Sequence, residues 1–225
     1  MCRTNNRTHP DNWYARLFAR LYDPFMGEFE KRILFKRRQR LLGSLGGRIL
    51  DVGAGTGVNF SFYPEKAEVW AIEPSESMLA YAHAKMAQNP PAARIHSMVA
   101  GIGNPSLEAW FPEGGFDAIV CTLVLCTIPD PETALADIRR WLKPEGRLIL
   151  LEHIQGQSKM DRLWQSLLNP LWRQFSEGCQ LNRRTDLLVR RYGFQPDWEE
   201  YFTKTLPFYM AVGRMAPAAL PAEAG

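Results

Sequence analysis

The chain lacks the features that would place it across a membrane, in a secreted scaffold or on nucleic acid. No apolar run approaches the ~18 residues that a bilayer span requires, and the opening MCRTNNRTHP is polar rather than signal-like. Cysteine is sparse: Cys2, Cys121, Cys126 and Cys179 are the only 4 among 225 residues. They form no C-x-x-C pair and no closely spaced framework, so neither a disulfide scaffold nor a zinc site is expected, and a reducing cytoplasm is the expected compartment. Charge of one sign is scarce too, since 27 Lys and Arg against 24 Asp and Glu leave a formal +3, too little to argue for a nucleic-acid partner. What remains is 46% hydrophobic and 23% charged, the composition of a globular protein long enough for one α/β domain spanning 1–225. No internal repeat occurs, and 216–225, rich in Ala and Pro, reads as a frayed tail.

The most informative stretch is Ile49-Leu50-Asp51-Val52-Gly53-Ala54-Gly55-Thr56-Gly57. An apolar strand runs into three alternate glycines, which permit a small ligand to lie on the main chain. A second strand, Val69-Trp70-Ala71-Ile72, ends in Glu73, an acid placed to hold both hydroxyls of a ribose. A dinucleotide site reads G-x-G-x-x-G and sets a helix N-terminus against a pyrophosphate. Here the third glycine comes one residue early, and Asp51 sets a negative charge beside the ligand. That charge suits S-adenosylmethionine, which has no phosphate and carries an ammonium and a sulfonium. A dinucleotide and a ligand-free turn are the weaker readings.

Residues 1–45 supply N-terminal helices, two of them over 12–45 with a break near Asp23-Pro24, and these helices could form a lid. The second carries Lys36-Arg37-Arg38-Gln39-Arg40, read first as a solvated face. With Phe29, Ile33 and Leu34 it would also be amphipathic, which leaves peripheral contact with an anionic membrane as the second reading. Strands are expected at Ile49–Val52, Val69–Ile72, Ile95–Val99, Phe116–Cys121 and Arg147–Glu152, with a helix from Ser75 to Gln88 and another opening at Asp130-Pro131. Lys143-Pro144-Glu145-Gly146 reads as a tight turn. Alternating β and α with continuous apolar strands means a parallel sheet covered on both faces. Ligands bind outside the carboxyl ends of such strands, so Gly53, Glu73, Cys121–Thr122 and Glu152–His153 are expected to converge. After His153 the alternation fails: 158–181 holds Trp164, Leu167, Leu168, Leu171, Trp172 and Phe175, an inserted helical segment broken at Asn169-Pro170. A helix near Thr185–Tyr192 and strands near Trp198–Phe202 and Phe208–Val212 close the chain.

In these segments the chain resembles the class I S-adenosylmethionine-dependent methyltransferases, and within them the methyltransferase-like seven family of thiol S-methyltransferases. The matching blocks are DVGAGTGVNFSFYP from Asp51 to Pro64, CTLVLCTI from Cys121 to Ile128, LKPEG from Leu142 to Gly146, Glu152-His153, Trp164-Gln165, Pro170-Leu171-Trp172, and Gly178-Cys179-Gln180-Leu181 with Arg184-Thr185. The resemblance implies a Rossmann-like, doubly wound, seven-stranded and mostly parallel α/β sheet with an antiparallel last strand. It implies a cofactor-binding core at 46–153, and a substrate cap with the final strands at 154–215. Animal members begin with a hydrophobic membrane anchor. This chain begins with the polar segment and basic helix, so a free-standing enzyme is expected.

Carried over position by position, the resemblance places the methionine part of S-adenosylmethionine on Gly53, Ala54, Gly55 and Asn59, with Asp51 and Gly57 completing the loop. It places the ribose on Glu73, and the adenine between Pro74 or Met78 and Gly101-Ile102. Thr122 and Leu123 floor the pocket beneath the sulfonium. A small, fairly apolar thiol is the implied acceptor, methylated by in-line displacement. Because free thiols have pKa values near ~8.5, a base or a positive charge would raise the reactive fraction. His153 is the candidate, as an imidazole expected on the catalytic edge, with Asp130 or Glu152 as substitutes. Glu152 serves equally well to orient His153 or cap a turn. Tyr14, Tyr22, Trp164 and Trp172 are candidate substrate contacts, with core packing as the alternative for each. Nothing beside the cysteines in sequence lowers a thiol pKa, so buried packing is expected of them. The competing functions are a phospholipid N-methyltransferase, a quinone C-methyltransferase, a catalytically silent cofactor-binding protein and a nicotinamide dehydrogenase.

Overall fold

Residues 13–176, 178–204 and 206–216 are described by a computed structural model. The polar N-terminus with Cys2 and the tail beyond 216 lie outside them. The strands are β1 (Gly47–Val52), β2 (Ala67–Glu73), β3 (Arg94–Val99), β4 (Phe116–Thr122), β5 (Leu142–His153), β6 (Phe194–Thr203) and β7 (Pro207–Met215). They form a seven-stranded sheet in the order β3-β2-β1-β4-β5-β7-β6. This is the doubly wound order expected, with β7 antiparallel to both β5 and β6. By internal contacts the chain divides into two compact units, Met1–Val120 and Cys121–Gly225, so the division falls within β4.

In the first unit β1 pairs with β2 and β2 with β3, all parallel, Ile49 lying opposite Val69 and Val69 opposite Ile95. The last four residues of β1 and the last five of β2 are buried, as strands covered on both faces must be. Trp70 packs edge-on against Phe116, ring centroids 5.8 Å apart. The helices are α1 (Trp13–Phe29), α2 (Phe35–Leu42), α3 (Glu76–Gln88) and the short α4 (Leu107–Trp110). Ser75 caps α3 as expected, its hydroxyl accepting from the Met78 amide at 3.3 Å.

The N-terminal helices do not break at Pro24. α1 runs through it, and the interruption is a π-helical segment, Glu30–Leu34, joining α1 to α2. Pro24 is exposed, where solvent can satisfy the carbonyl that loses its backbone partner. The π turn shifts the helical phase, so Arg38, expected on a solvated face, is buried.

In the second unit α5 (Pro131–Trp141) opens on Asp130, whose carboxylate accepts from the Thr133 amide and hydroxyl at 3.0 and 2.7 Å. The LKPEG segment expected to be a turn is extended and forms the start of β5. Leu148 to Leu151 and Tyr209 to Ala211 are buried where β5 pairs with β7, whereas β6 alternates buried or half-buried with exposed positions, as an edge strand does. α7 (Thr185–Arg191) precedes β6.

The insertion is one continuous helix, α6 (Lys159–Phe175), which accommodates Pro170 at an exposed position. Its seating is unusual, because Gln165 is its only buried residue. The Gln165 amide accepts from Gly156 N at 2.6 Å and donates to Ile154 O at 3.2 Å, and Asn169 Oδ1 accepts from Leu181 N at 2.8 Å. Met160, Leu163, Trp164, Leu167, Leu168, Leu171 and Phe175 are all exposed. Amide bonds therefore anchor α6, and its apolar stripe does not. Among the described residues no helix is long and apolar enough to cross a membrane.

The β6–β7 pairing has one tight point. A Cβ on Gly213 would lie 2.2 Å from Gln195 O and 2.6 Å from Pro196 Cα, beside the register shift between Pro196 and Trp198. Gly213→Ala should therefore destabilise the protein by roughly 1–3 kcal/mol, the cost of overpacking. Gly27→Ala, within α1 and facing open space, should be neutral or stabilising by up to about 1 kcal/mol. Urea unfolding of both variants checks the contrast.

Candidate active site

The glycine loop leaves β1 in a left-handed course: Gly53, Gly55 and Gly57 have φ of 68°, 57° and 75°, values that L side chains rarely adopt. The amides of Gly53 and Ala54 both donate to Ile72 O, at 2.9 and 3.0 Å, which ties the loop to the end of β2. Gly55 N donates to Glu73 Oε2 and Ser75 N to Glu73 Oε1, each at 2.9 Å. One carboxylate thus fixes the loop on one side and the start of α3 on the other. The Ala100 amide donates to Glu73 O at 3.0 Å, so the turn holding Gly101 and Ile102 also begins beside Glu73. A Cβ on Gly55 would meet only the Met78 methyl, at 3.6 Å, whereas one on Gly57 would press on the Phe60 ring at 2.8 Å. Gly55 is therefore the open face of the loop, while Gly57 is a packing position under it. Gly53, Ala54, Gly55, Glu73, Pro74, Met78 and Gly101-Ile102 are brought together around this surface.

Asp51 and Asn59 organise the loop from beneath. Asp51 is fully buried, and Asn59 Nδ2 donates to both its oxygens, at 3.0 and 3.1 Å. Asn59 Oδ1 in turn accepts from Arg38 at 2.6 Å, and Arg38 Nε is paired with Glu30 at 2.7 Å. The π turn that buries Arg38 therefore connects the N-terminal helices to the loop. A second tie runs from Thr56, whose hydroxyl donates to Asp23 at 2.7 Å and accepts from Lys85 at 2.9 Å, with Lys85 also paired to Asp23. Tyr14 and Tyr22 form an aromatic row with Phe18 along α1, at centroid distances of 6.4 and 5.6 Å. That row is the packing alternative raised for both tyrosines.

In the second unit the turn after β4 is held by Glu152. Its Oε1 accepts from the amides of Val124 and Leu125, both at 3.0 Å, so of its two expected roles Glu152 fills that of capping the turn. Leu123, just before them, has φ 57°, the one positive value outside glycine among the described residues. Its amide donates to Leu151 O at 2.8 Å, and such strain persists only where surrounding bonds impose it. Asp130 is committed to capping α5, where the Thr133 amide and hydroxyl hold its pKa below the usual range.

The segment after α6 folds back over this turn. Gln180 N donates to Cys126 O at 3.0 Å, and the Arg183 guanidinium donates to the carbonyls of Leu125 and Ile128. These bonds bring together three side chains distant in sequence. His153 Nε2 lies 2.8 Å from Cys179 Sγ, which is 3.7 Å from Cys126 Sγ. All three are buried. The Cys179 pKa falls to about 4: the hydrogen bond from Cys126 is the largest cause, burial opposes it, and His153 and the Trp172 indole add to the lowering. Burial works against a charged His153, but the bond to Cys179 and its charge prevail and raise the imidazole pKa. The Cys126 thiol is pushed well up, first by its bond to Cys179 and then by burial. Both shifts run toward a thiolate–imidazolium pair of Cys179 and His153, although no neighbour in sequence announced it. Trp172 belongs to this cluster. Trp164 instead lines a cavity of about 500 Å3, together with Leu168, Leu181, Phe202, Leu206 and Phe208.

Comparison with known proteins bears on this geometry. Residues 26–197 match the family model described as a methyltransferase domain. The chain is 34% identical to thiol S-methyltransferase TMT1B of Rattus norvegicus over 86% of its own length and 79% of the relative's. It is 33% identical to thiol S-methyltransferase TMT1A of Homo sapiens, over 81% and 75%. The chain belongs to the class I S-adenosylmethionine-dependent methyltransferases. The fold agrees: a solved S-adenosylmethionine-dependent methyltransferase of Leishmania major superposes with a TM-score of 0.63 at 16% identity, covering 89% of this chain and 80% of that one. The cofactor of this methyltransferase is S-adenosylmethionine. Its residues fit that group, since Gly55 offers an open main-chain surface directly beside the Glu73 carboxylate at the end of β2.

Burial, the largest cause, raises the Asp51 pKa to about 6, while Asn59, Tyr63 and Arg38 pull it back. An acid whose folded pKa lies above its unfolded value binds its proton more tightly when folded, so it costs stability as pH rises. The cost is absent below the unfolded value near 3.8 and complete above about 6. At about 1.4 kcal/mol per pH unit it reaches roughly 3 kcal/mol. Asp51→Asn should remove this slope. In urea unfolding of the cofactor-free proteins, the wild type should lose stability relative to the variant across that window. Parallel pH profiles would refute it.

Proposed function

We propose that this methyltransferase transfers the methyl group of S-adenosylmethionine to the sulfur of a small, fairly apolar thiol. The observation that carries the reading is the Cys179–His153 pair at the end of β5, the place in the second unit built to handle a sulfur's charge. Both residues lie in segments that carry the sequence resemblance. The relatives named thiol S-methyltransferases, at 33–34% identity over most of the chain, support it. The cavity beside Trp164 supports an apolar acceptor, because Asp161 is the only carboxylate among its lining residues.

When bound, the cofactor supplies a sulfonium methyl already activated for in-line displacement. The chain's task is then alignment and exclusion of water, and positioning contributes several kcal/mol of the ~8–23 that enzymes provide. Glu73 and the open face at Gly55 hold the cofactor, and Asp51, Asn59 and Arg38 keep that face in place. His153, with Cys179, is assigned to activating the acceptor thiol. Trp164 contacts the acceptor's apolar part, and Trp172 steadies the Cys179 sulfur.

Incubating the full chain with labelled S-adenosylmethionine and a panel of thiols, phosphatidylethanolamine and quinols tests the reading. Thiols should be methylated, and His153→Ala should lower kcat/KM for them at least ~10²-fold while binding of S-adenosylhomocysteine persists. Lipid or quinol methylation with no turnover of any thiol would sink it.

A further inference from the structure

The spacing of the cysteines along the chain gave no reason to expect a metal. In space the outcome is different: Cys126, His153 and Cys179 each offer a ligand atom, and these atoms lie within 4.8 Å of one another. We propose that the three residues form a binding site for a thiophilic divalent cation of the zinc class, with the fourth position left for the acceptor thiol.

Geometry carries the proposal first. With zinc–sulfur bonds of about 2.3 Å and a zinc–nitrogen bond of about 2.0 Å, tetrahedral coordination places two sulfurs about 3.8 Å apart, and sulfur and nitrogen about 3.5 Å apart. The Cys126 and Cys179 sulfurs already stand at 3.7 Å. His153 Nε2, at 2.8 Å from Cys179, has to withdraw by about 0.7 Å as the ion takes the place of their direct bond.

The donor set agrees with geometry: two cysteine sulfurs and one imidazole nitrogen are the ligands that a zinc-class ion takes.

Three protein ligands and one open position are the pattern of catalytic rather than structural zinc. For the role of the ion in turnover, the proposal rests on the thiol reading above; the binding site itself does not. On entering the fourth position the acceptor thiol loses its S–H proton to solvent and forms a metal–sulfur bond. Its sulfur pair then forms the new S–CH₃ bond. The sulfonium–CH₃ bond breaks with its electrons going to the sulfonium sulfur, giving S-adenosylhomocysteine. The thioether, no longer an anion, leaves the metal.

The test uses the untagged full chain, stripped with chelator under reducing conditions and titrated with cobalt(II). One cobalt per chain should bind with thiolate-to-cobalt charge-transfer absorption, and zinc should displace it. Cys126→Ser and Cys179→Ser should each weaken binding by more than the ~10–100-fold that an outer-shell partner is worth, while Cys121→Ser leaves it unchanged. Circular dichroism of each variant separates ligand loss from misfolding. In the folded wild type, zinc should also protect Cys126 and Cys179, but not Cys2, from alkylation mapped by mass spectrometry. No charge-transfer band, a band that survives loss of both cysteines, or a Cys126–Cys179 disulfide that zinc does not prevent would overturn the site. A bound ion with no thiol turned over would count against the thiol reading instead, and a bound ion whose removal leaves thiol turnover unchanged would overturn its role as activator.

Discussion

A carboxylate at the end of a strand, accepting two main-chain amides from the segments beside it, is the interaction on which the glycine loop of the first unit and the turn after β4 in the second both depend. Glu73 at the end of β2 holds Gly55 and Ser75, and Glu152 near the end of β5 holds Val124 and Leu125. In each case backbone amides left unpaired where regular structure stops would be costly to bury, and the charged acceptor satisfies two at once. The bonds also dictate shape. They impose the left-handed course of the glycine loop and the positive φ at Leu123, conformations the backbone would not adopt unaided. The cofactor surface and the sulfur cluster are therefore consequences of the same device used twice.

Much of this was legible in the sequence. Strand ends, the glycine loop, Glu73 and the caps at Ser75 and Asp130 were readable because each depends on neighbours in the chain. Turn chemistry and apolar alternation are local signals. The readings that departed from the structure failed where tertiary contacts overrode local preference. Pro24 and Pro170 did not break their helices, because both are exposed and the flanking turns are held by other bonds. LKPEG became the start of β5. Arg38, grouped with a basic run, is drawn inward by Glu30 and Asn59 after a π turn whose phase shift leaves no mark in hydrophobic periodicity.

The cysteine cluster was the least legible feature for a related reason. Sequence rules for reactive thiols and metal sites look for ligands a few residues apart, whereas Cys179 stands 26 residues from His153 and 53 from Cys126. What joins them is bonding to main-chain carbonyls, from the Gln180 amide to Cys126 and from the Arg183 guanidinium to Leu125 and Ile128. The one available hint was that all three lie in blocks that carried the family resemblance.

The way α6 is fastened has an evolutionary consequence. Two amide side chains, Gln165 and Asn169, hold the helix, while seven of its large apolar residues contribute little burial to the folded unit. Replacing those residues costs the fold little, whereas replacing either amide unseats the helix. The wall that Trp164 and Leu168 give to the cavity can therefore be rewritten under a fixed attachment. On the proposed reading of that cavity as the acceptor's place, its shape can change while the attachment of α6 stays the same.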